Sequence, residues 1–277
     1  PTAAPAPAAP APAGYVAFAQ ACALPLRREQ NVLRFEHGFI DMRNTIDPSK
    51  KAIFVRQCYP KLFDRMLTSL SVARPPKVFI LGTPGVGKSL FRVYVCNRLL
   101  NIARVECGAY ILFQKSKSES VHVVFINAES VGALCYPPHM FTDLSRHAWD
   151  WQGKGALVVS LVDVTKGELG VPVETNVMWY FSSPNRQLLR VADRIKEGGG
   201  VDFYMPLWTL EELRLAQTVL ELELINIKES DYNEERVADL IAYRFGRFGG
   251  SARAVFLEPQ KVESLVRSRL DEVEWKG

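Results

Sequence analysis

Lys77-Val-Phe-Ile-Leu-Gly-Thr-Pro-Gly-Val-Gly-Lys-Ser89 is the stretch whose reading decides the fold. Lys77 to Leu81 reads as a buried strand, and beyond Ser89 the apolar residues Leu90, Phe91, Val93, Tyr94, Val95, Leu99 and Leu100 recur with helical periodicity. Between them Gly82, Thr83, Pro84, Gly85, Val86, Gly87, Lys88 and Ser89 match G-x-x-x-x-G-K-[ST] at all eight positions. That pattern is informative only between a strand and a helix, which is the setting found here. Gly82, Gly85 and Gly87 permit backbone turns closed to other residues, so that successive N–H groups at the helix start converge on phosphate oxygens. In such a phosphate-binding loop Lys88 gives a point charge to the β and γ phosphates and Ser89 gives its hydroxyl to Mg²⁺. The bland alternative, a glycine-rich turn with a solvated lysine, leaves the eight-position match unexplained.

A loop of this kind needs a carboxylate for the metal, placed at the end of a neighbouring apolar strand. Asp163, closing Ala156-Leu-Val-Val-Ser-Leu-Val162, has that position and a chemistry suited to Mg²⁺. The competing role is a strand-ending Asp that only turns the chain. Val164 follows it, where many ATPases place the glutamate that polarises water, so the base is unassigned between Glu129 and Glu168, each of which also fits a solvated loop carboxylate. Ser183 and Asn185, after the strand Val177 to Ser182, are expected at the carboxyl edge of the sheet, as γ-phosphate sensors or as a helix cap before Pro184. Farther on, Arg247-Phe-Gly249-Gly250-Ser-Ala-Arg253 carries two guanidiniums able to reach a phosphate, against the alternative of surface arginines.

The rest of the chain frames this loop. It has 277 residues, 34 Lys+Arg against 30 Asp+Glu, 48% hydrophobic residues and a net charge of +4. That balance is ordinary for globular domains, too weakly basic to announce a nucleic-acid binder, and no stretch approaches the roughly 20 consecutive apolar residues of a membrane span. Five cysteines, widely spaced and without a zinc-ligand pattern, suggest a reducing compartment. The first 13 residues hold seven Ala and five Pro, so residues 1–14 are expected to be a flexible linker within a longer product. Residues 15–76 are expected to form a basic, partly helical segment with a helix over 57–71, residues 77–205 an α/β core, and residues 206–277 a small helical C-terminal subdomain. Within the core, 110–114 and 121–126 suggest a hairpin and 156–162 and 177–182 two more strands, the last pair joined by an irregular crossover. Helices are expected at 185–197, at 209–225 behind a Thr209/Glu212 capping box, at 233–244 and at 259–271.

Six blocks in order carry a family resemblance: Phe54-Val-Arg-Gln-Cys-Tyr-Pro60, the glycine loop, Asp163, Ser182-Ser-Pro-Asn185, Tyr204-Met-Pro-Leu-Trp-Thr-Leu-Glu-Glu-Leu213, and Gly249-Gly250-x-x-Arg253. Together they resemble the P-loop NTPase domain shared by Crinkler effectors and retrotransposon hot spot proteins, from about Phe54 to Phe256. Ala252 departs from the family pattern, which favours Pro there. The resemblance implies a three-layer α/β P-loop NTPase of the additional-strand class that binds ATP and Mg²⁺. It also implies a modular protein secreted by a eukaryotic pathogen or symbiont, acting in host cells, often in nuclei, on a host protein or nucleic-acid target. Catalysis would rest on positioning and charge neutralisation by Lys88, Mg²⁺ coordinated with Asp163, and Arg253 as γ-phosphate sensor. Slow ATP hydrolysis is the expectation, and a nucleotide-gated interaction module with little turnover is the alternative. A kinase lacks its arginine-rich lid here and a GTPase its base-reading motif.

Overall fold

The computed structural model describes residues 9–24, 31–36, 38–40, 46–47, 51–70, 77–103, 108–115, 120–164, 173–182, 200–220 and 240–256. Two compact units are distinguished: residues 1–82 with 88–205, and residues 83–87 with 206–277.

The first unit is built on an eight-stranded sheet. Its strands are β1 (Ala9–Pro10), β6 (Val78–Leu81), β7 (Ala109–Gln114), β8 (Val121–Ile126), β9 (Val131–Tyr136), β10 (Leu157–Val164), β11 (Val177–Ser182) and β12 (Val201–Tyr204), in the spatial order β1-β9-β8-β7-β10-β11-β6-β12. The stretch from β7 to β12 is wholly parallel, while β8, β9 and β1 extend it antiparallel. Two small ribbons, β2 (Val32–Arg34) with β5 (Ala52–Phe54) and β3 (Phe39–Ile40) with β4 (Ile46–Asp47), lie outside it. Val78 to Leu81 and Val177 to Ser182 are buried throughout, the mark of strands covered on both faces.

Alternation along the strands sends side chains to two different helical layers. The helices here are α1 (Ala13–Ala23), α2 (Cys58–Leu70), α3 (Lys88–Ala103) and α4 (Phe141–Gly153). On one face Phe113 meets Phe18 of α1, Phe181 meets Phe91 of α3 and Trp179 meets Phe63 of α2. On the other, Leu112, Val123, Tyr136 and Val158 form one cluster with Leu144 and Ala148 of α4, and Tyr110 stacks on Trp151 at 4.0 Å between ring centres. An aromatic pair of that geometry adds about 0.5–1.5 kcal/mol beyond its buried area. The unit is therefore a three-layer α/β sandwich.

The expected flexible linker over 1–14 is corrected at its far end. Ala9 and Pro10 pair with Cys135 and Leu134 of β9, and α1 opens at Ala13. Phe18, Ala19 and Cys22 are fully buried, and the helix end is held by α3: Asn97 Nδ2 donates to the carbonyls of Cys22 and Leu24 at 2.9 and 3.0 Å, and Asn101 Nδ2 to the same two at 3.1 Å. Those carbonyls belong to a helix C-terminus, where the backbone has no partner of its own.

The hairpin over 110–114 and 121–126 is present as β7 and β8, and the helix over 57–71 as α2. β9 and β12 were not foreseen. β10 continues through Asp163 to Val164, which pairs with Ser182, so Asp163 is the penultimate residue of its strand and not the last. The helices expected at 185–197 and 259–271, and most of the crossover after β10, lie outside the described residues.

The second unit holds α5 (Leu210–Leu220), α6 (Leu240–Phe248) and α7 (Ala252–Phe256). The capping box is formed: Glu212 N donates to Thr209 Oγ1 at 3.1 Å, and Thr209 N to Glu212 Oε2 at 3.2 Å. Of the helix expected over 209–225 the first eleven residues from Leu210 are described, and of that over 233–244 the described part begins at Leu240 and runs on to Phe248. Arg244, buried on α6, donates through Nη1 to the Val255 carbonyl of α7 at 2.9 Å.

Candidate functional site

In the first unit the loop's two anchor points are seen directly. β6 ends at Leu81, Gly82 follows with its backbone buried, and α3 begins at Lys88. Lys88 reaches back along the chain and donates from Nζ to the Gly82 carbonyl at 2.5 Å. The lysine is thus held over the strand end and not cast into solvent. Ser89 is half-buried in the first turn of α3.

Strand order explains how Asp163 comes to the same edge. β6, β10 and β11 run parallel, so their carboxyl ends lie on one side, and β11 is interposed between β6 and β10. Asp163 pairs with Phe181, which in turn pairs with Ile80, one residue short of the end of β6. Asp163 is 14% exposed and forms an ion pair with Arg92 of α3, Nη1 to Oδ2 at 3.8 Å. Arg92 is three residues after Ser89, so both lie on one face of the helix. Sequence reasoning passed over Arg92 because it sits in an apolar run and belongs to no motif.

Glu129 is placed elsewhere, which corrects its candidacy as a water-activating base. It is exposed in the turn joining β8 to β9, next to Ile126, which pairs with Ala109 at the amino end of β7. Ala109 shares its row with Leu157, and Asp163 is six residues farther up the strand. At about 3.3 Å per residue, Glu129 is roughly 20 Å from the carboxyl edge. Its hairpin direction, which sequence periodicity does not reveal, decided this. Glu168, Ser183 and Asn185 lie outside the described residues.

In the second unit, residues 83–87 are packed on the Gly249–Arg253 segment. Ser251 Oγ donates to the Pro84 carbonyl at 3.1 Å. Gly85 has φ +84°, and a Cβ there would lie 2.4 Å from Ser251 Oγ and 2.8 Å from Arg253 Cβ. Both the backbone conformation and the space exclude a side chain. Gly250 is constrained by space alone: a Cβ would come within 2.3 Å of the Trp208 carbonyl, and Trp208 N donates to Gly250 O at 2.9 Å. The two motif blocks Tyr204 to Leu213 and Gly249 to Arg253 thus meet through Leu207, Trp208 and Gly250. Arg253 is exposed, with its backbone against Gly85. Arg247 falls on α6.

The donor set suits a hard cation. A serine hydroxyl and a carboxylate are oxygen ligands, and Mg²⁺ is ordinarily held by one or two carboxylates with phosphates and waters supplying the remainder. Among the described residues no group of three or more His, Cys, Asp or Glu could hold a metal ion. Cys22, Cys58, Cys96 and Cys135 are not joined in disulfides. Among the described residues no helix is long and apolar enough to cross a membrane.

No protein-family model matches this chain, and no curated protein matches it. Solved structures do. The ORC1 protein of Aeropyrum pernix in complex with DNA is similar over 72% of this chain and 56% of its own, at 10% identity and a TM-score of 0.40. Wild-type Clp1p in complex with Pcf11p is similar over 60% of this chain and 45% of its own, at 9% identity and a TM-score of 0.28. The chain thus spans about half the length of these two structures.

Proposed function

We propose that this chain binds Mg-ATP at residues 82–89 and hydrolyses it slowly, as a P-loop NTPase of the additional-strand class. The observation that carries this is the complete G-x-x-x-x-G-K-[ST] loop between the carboxyl end of β6 and the first turn of α3. Interposition of β11 between β6 and the acid-bearing β10 supports the finer class. Loop N–H groups and the helix start receive the phosphates, and Lys88 exchanges the Gly82 carbonyl for β and γ oxygens. Ser89 and Asp163 would hold Mg²⁺, which neutralises phosphate charge when bound. Arg253, seated beside Gly85, senses the γ-phosphate. The resemblance to Crinkler and retrotransposon hot spot proteins supports a role as the ATPase domain of a secreted effector acting on a host protein or nucleic acid.

Phosphate release with ATP and GTP side by side tests the reading. Turnover requires magnesium and is higher with ATP, and Asp163→Asn keeps much of the ATP affinity while losing that turnover, because the carboxylate acts through the metal. Normal turnover by Asp163→Asn would move the metal role to another residue.

A second function, a nucleotide-gated interaction module with little turnover, is favoured by two observations. Val164 follows Asp163, and Glu129 sits at the opposite edge of the sheet. ATP binding without phosphate release in the wild type would select it.

A further inference from the structure

Arg92 is costly where it stands. Its neighbours Phe91, Val93, Tyr94 and Val95 are at most 2% exposed, and Arg92 itself is fully buried. Burying a guanidinium costs several kcal/mol before its partners offset it, and well-packed apolar residues often replace a buried ion pair without loss of stability. Packing alone therefore gives no reason for arginine here. Its guanidinium lies over the Phe113 ring of β7, 5.2 Å from the centroid, with Nη1 3.8 Å from Asp163 Oδ2 on the adjacent β10. The aromatic face steadies the cation from below while the carboxylate receives it from the side. Four residues after Lys88 and three after Ser89, Arg92 lies one turn deeper on the face that carries both.

We propose that Arg92 is a positioning residue for Asp163 and the internal counter-cation of the metal site, setting how strongly that carboxylate takes a divalent ion before nucleotide arrives. The inference rests on the assignment of Asp163 as metal partner. A fixed positive charge beside a half-buried carboxylate weakens its attraction for a second cation, an effect large at the dielectric of a protein surface. Phosphates of a bound nucleotide add negative charge and reverse the balance. Asp163 then exchanges the guanidinium for the ion only in the nucleotide complex. Metal and nucleotide binding become coupled, and the empty site does not collect free cations.

The test is Mn²⁺ binding without nucleotide, with free Mn²⁺ followed by its paramagnetic resonance signal, on wild type, Arg92→Met and Arg92→Lys. Arg92→Met should bind Mn²⁺ about tenfold more tightly or better, and Arg92→Lys should stay within about threefold of wild type because the charge is kept. Adding Asp163→Asn to Arg92→Met should abolish the gain. A merely structural arginine predicts the reverse, since a loosened core does not raise metal affinity. Equal or weaker Mn²⁺ binding by a folded Arg92→Met overturns the proposal. Should Arg92→Met not fold, Arg92→Gln carries the same expectation, and failure of both neutral variants to fold also overturns it, making Arg92 a core-forming residue. Asp163→Asn alone separates the two levels. If it leaves the magnesium dependence of ATP binding unchanged, the assignment of Asp163 itself fails; if it abolishes that dependence while Arg92→Met changes nothing, only the role of Arg92 fails.

Discussion

Gly85 shows at the scale of one residue why a motif position is fixed. With φ +84° and Ser251 Oγ and Arg253 Cβ within 2.8 Å of any added Cβ, Gly85→Ala strains the backbone and pushes on the neighbouring segment. The left-handed conformation alone costs roughly 1–2 kcal/mol for a residue with a side chain. Gly85→Ala should lower the unfolding temperature and weaken ATP binding together, measurable by thermal melts and titration on one sample. An unchanged melting temperature would mean that the loop does not hold this conformation. The backbone of Arg253 is fixed beside Gly85 while its side chain is exposed. A guanidinium aimed at developing charge is worth about 10³-fold or more in rate, and a surface arginine very little. Arg253→Ala should therefore lose most turnover with its melting temperature intact. Turnover within about threefold of wild type, far short of that loss, would return Arg253 to the solvated surface.

At the scale of elements, α1 illustrates what composition hides. Its neighbourhood reads as a Pro/Ala tail, yet the helix packs Phe18 on Phe35 and Phe113 and stacks Tyr15 on His122 of β8 at 4.2 Å between ring centres. Burial lowers the His122 pKa to about 4 from its ordinary 6.5. Between pH 6.5 and 4 the unfolded chain thus binds up to one proton more than the folded one at this position, and stability falls as pH falls through that window. Replacing the imidazole with a ring that cannot titrate, His122→Phe, should remove this part of the acid-side loss. Urea unfolding of both proteins at pH 7 and pH 4.5 measures it: the wild type should lose more stability between the two pH values. An equal loss in the variant would mean that His122 titrates normally.

Local signals made β6, the glycine loop, α2, α3, β7, β8 and the Thr209/Glu212 cap legible, because periodicity and capping act within a few residues. Long-range pairing was not legible. β1 acquires its partner from Cys135 and Leu134, more than a hundred residues on, and β12 is a mixed Val-Asp-Phe-Tyr stretch that becomes a strand by lying beside β6. In the same way Lys88, Ser89 and Asp163 could be named from the motif and the strand pattern. Arg92 could not, since its meaning comes from the strand that happens to lie opposite, while Glu129 is the solvated loop carboxylate that its place just after β8 also allowed.

For the whole molecule, the proposed nucleotide site at residues 82–89 depends on Lys88 as the charge that holds the terminal phosphates. Each charged hydrogen bond lost there costs about 1.5–3 kcal/mol, so Lys88→Ala should weaken ATP by roughly 100-fold, at 1.4 kcal/mol for each factor of ten. Lys88 is half-buried at the start of α3, and its amine reaches back to the Gly82 carbonyl of its own loop. The variant should remain folded. The decisive measurement is calorimetric titration of ATP with magnesium into wild type and into monodisperse Lys88→Ala protein. Saturable binding by the wild type, largely lost in the variant at an unchanged melting temperature, is the predicted result; no binding by the wild type, or equal affinity in the two proteins, would contradict it.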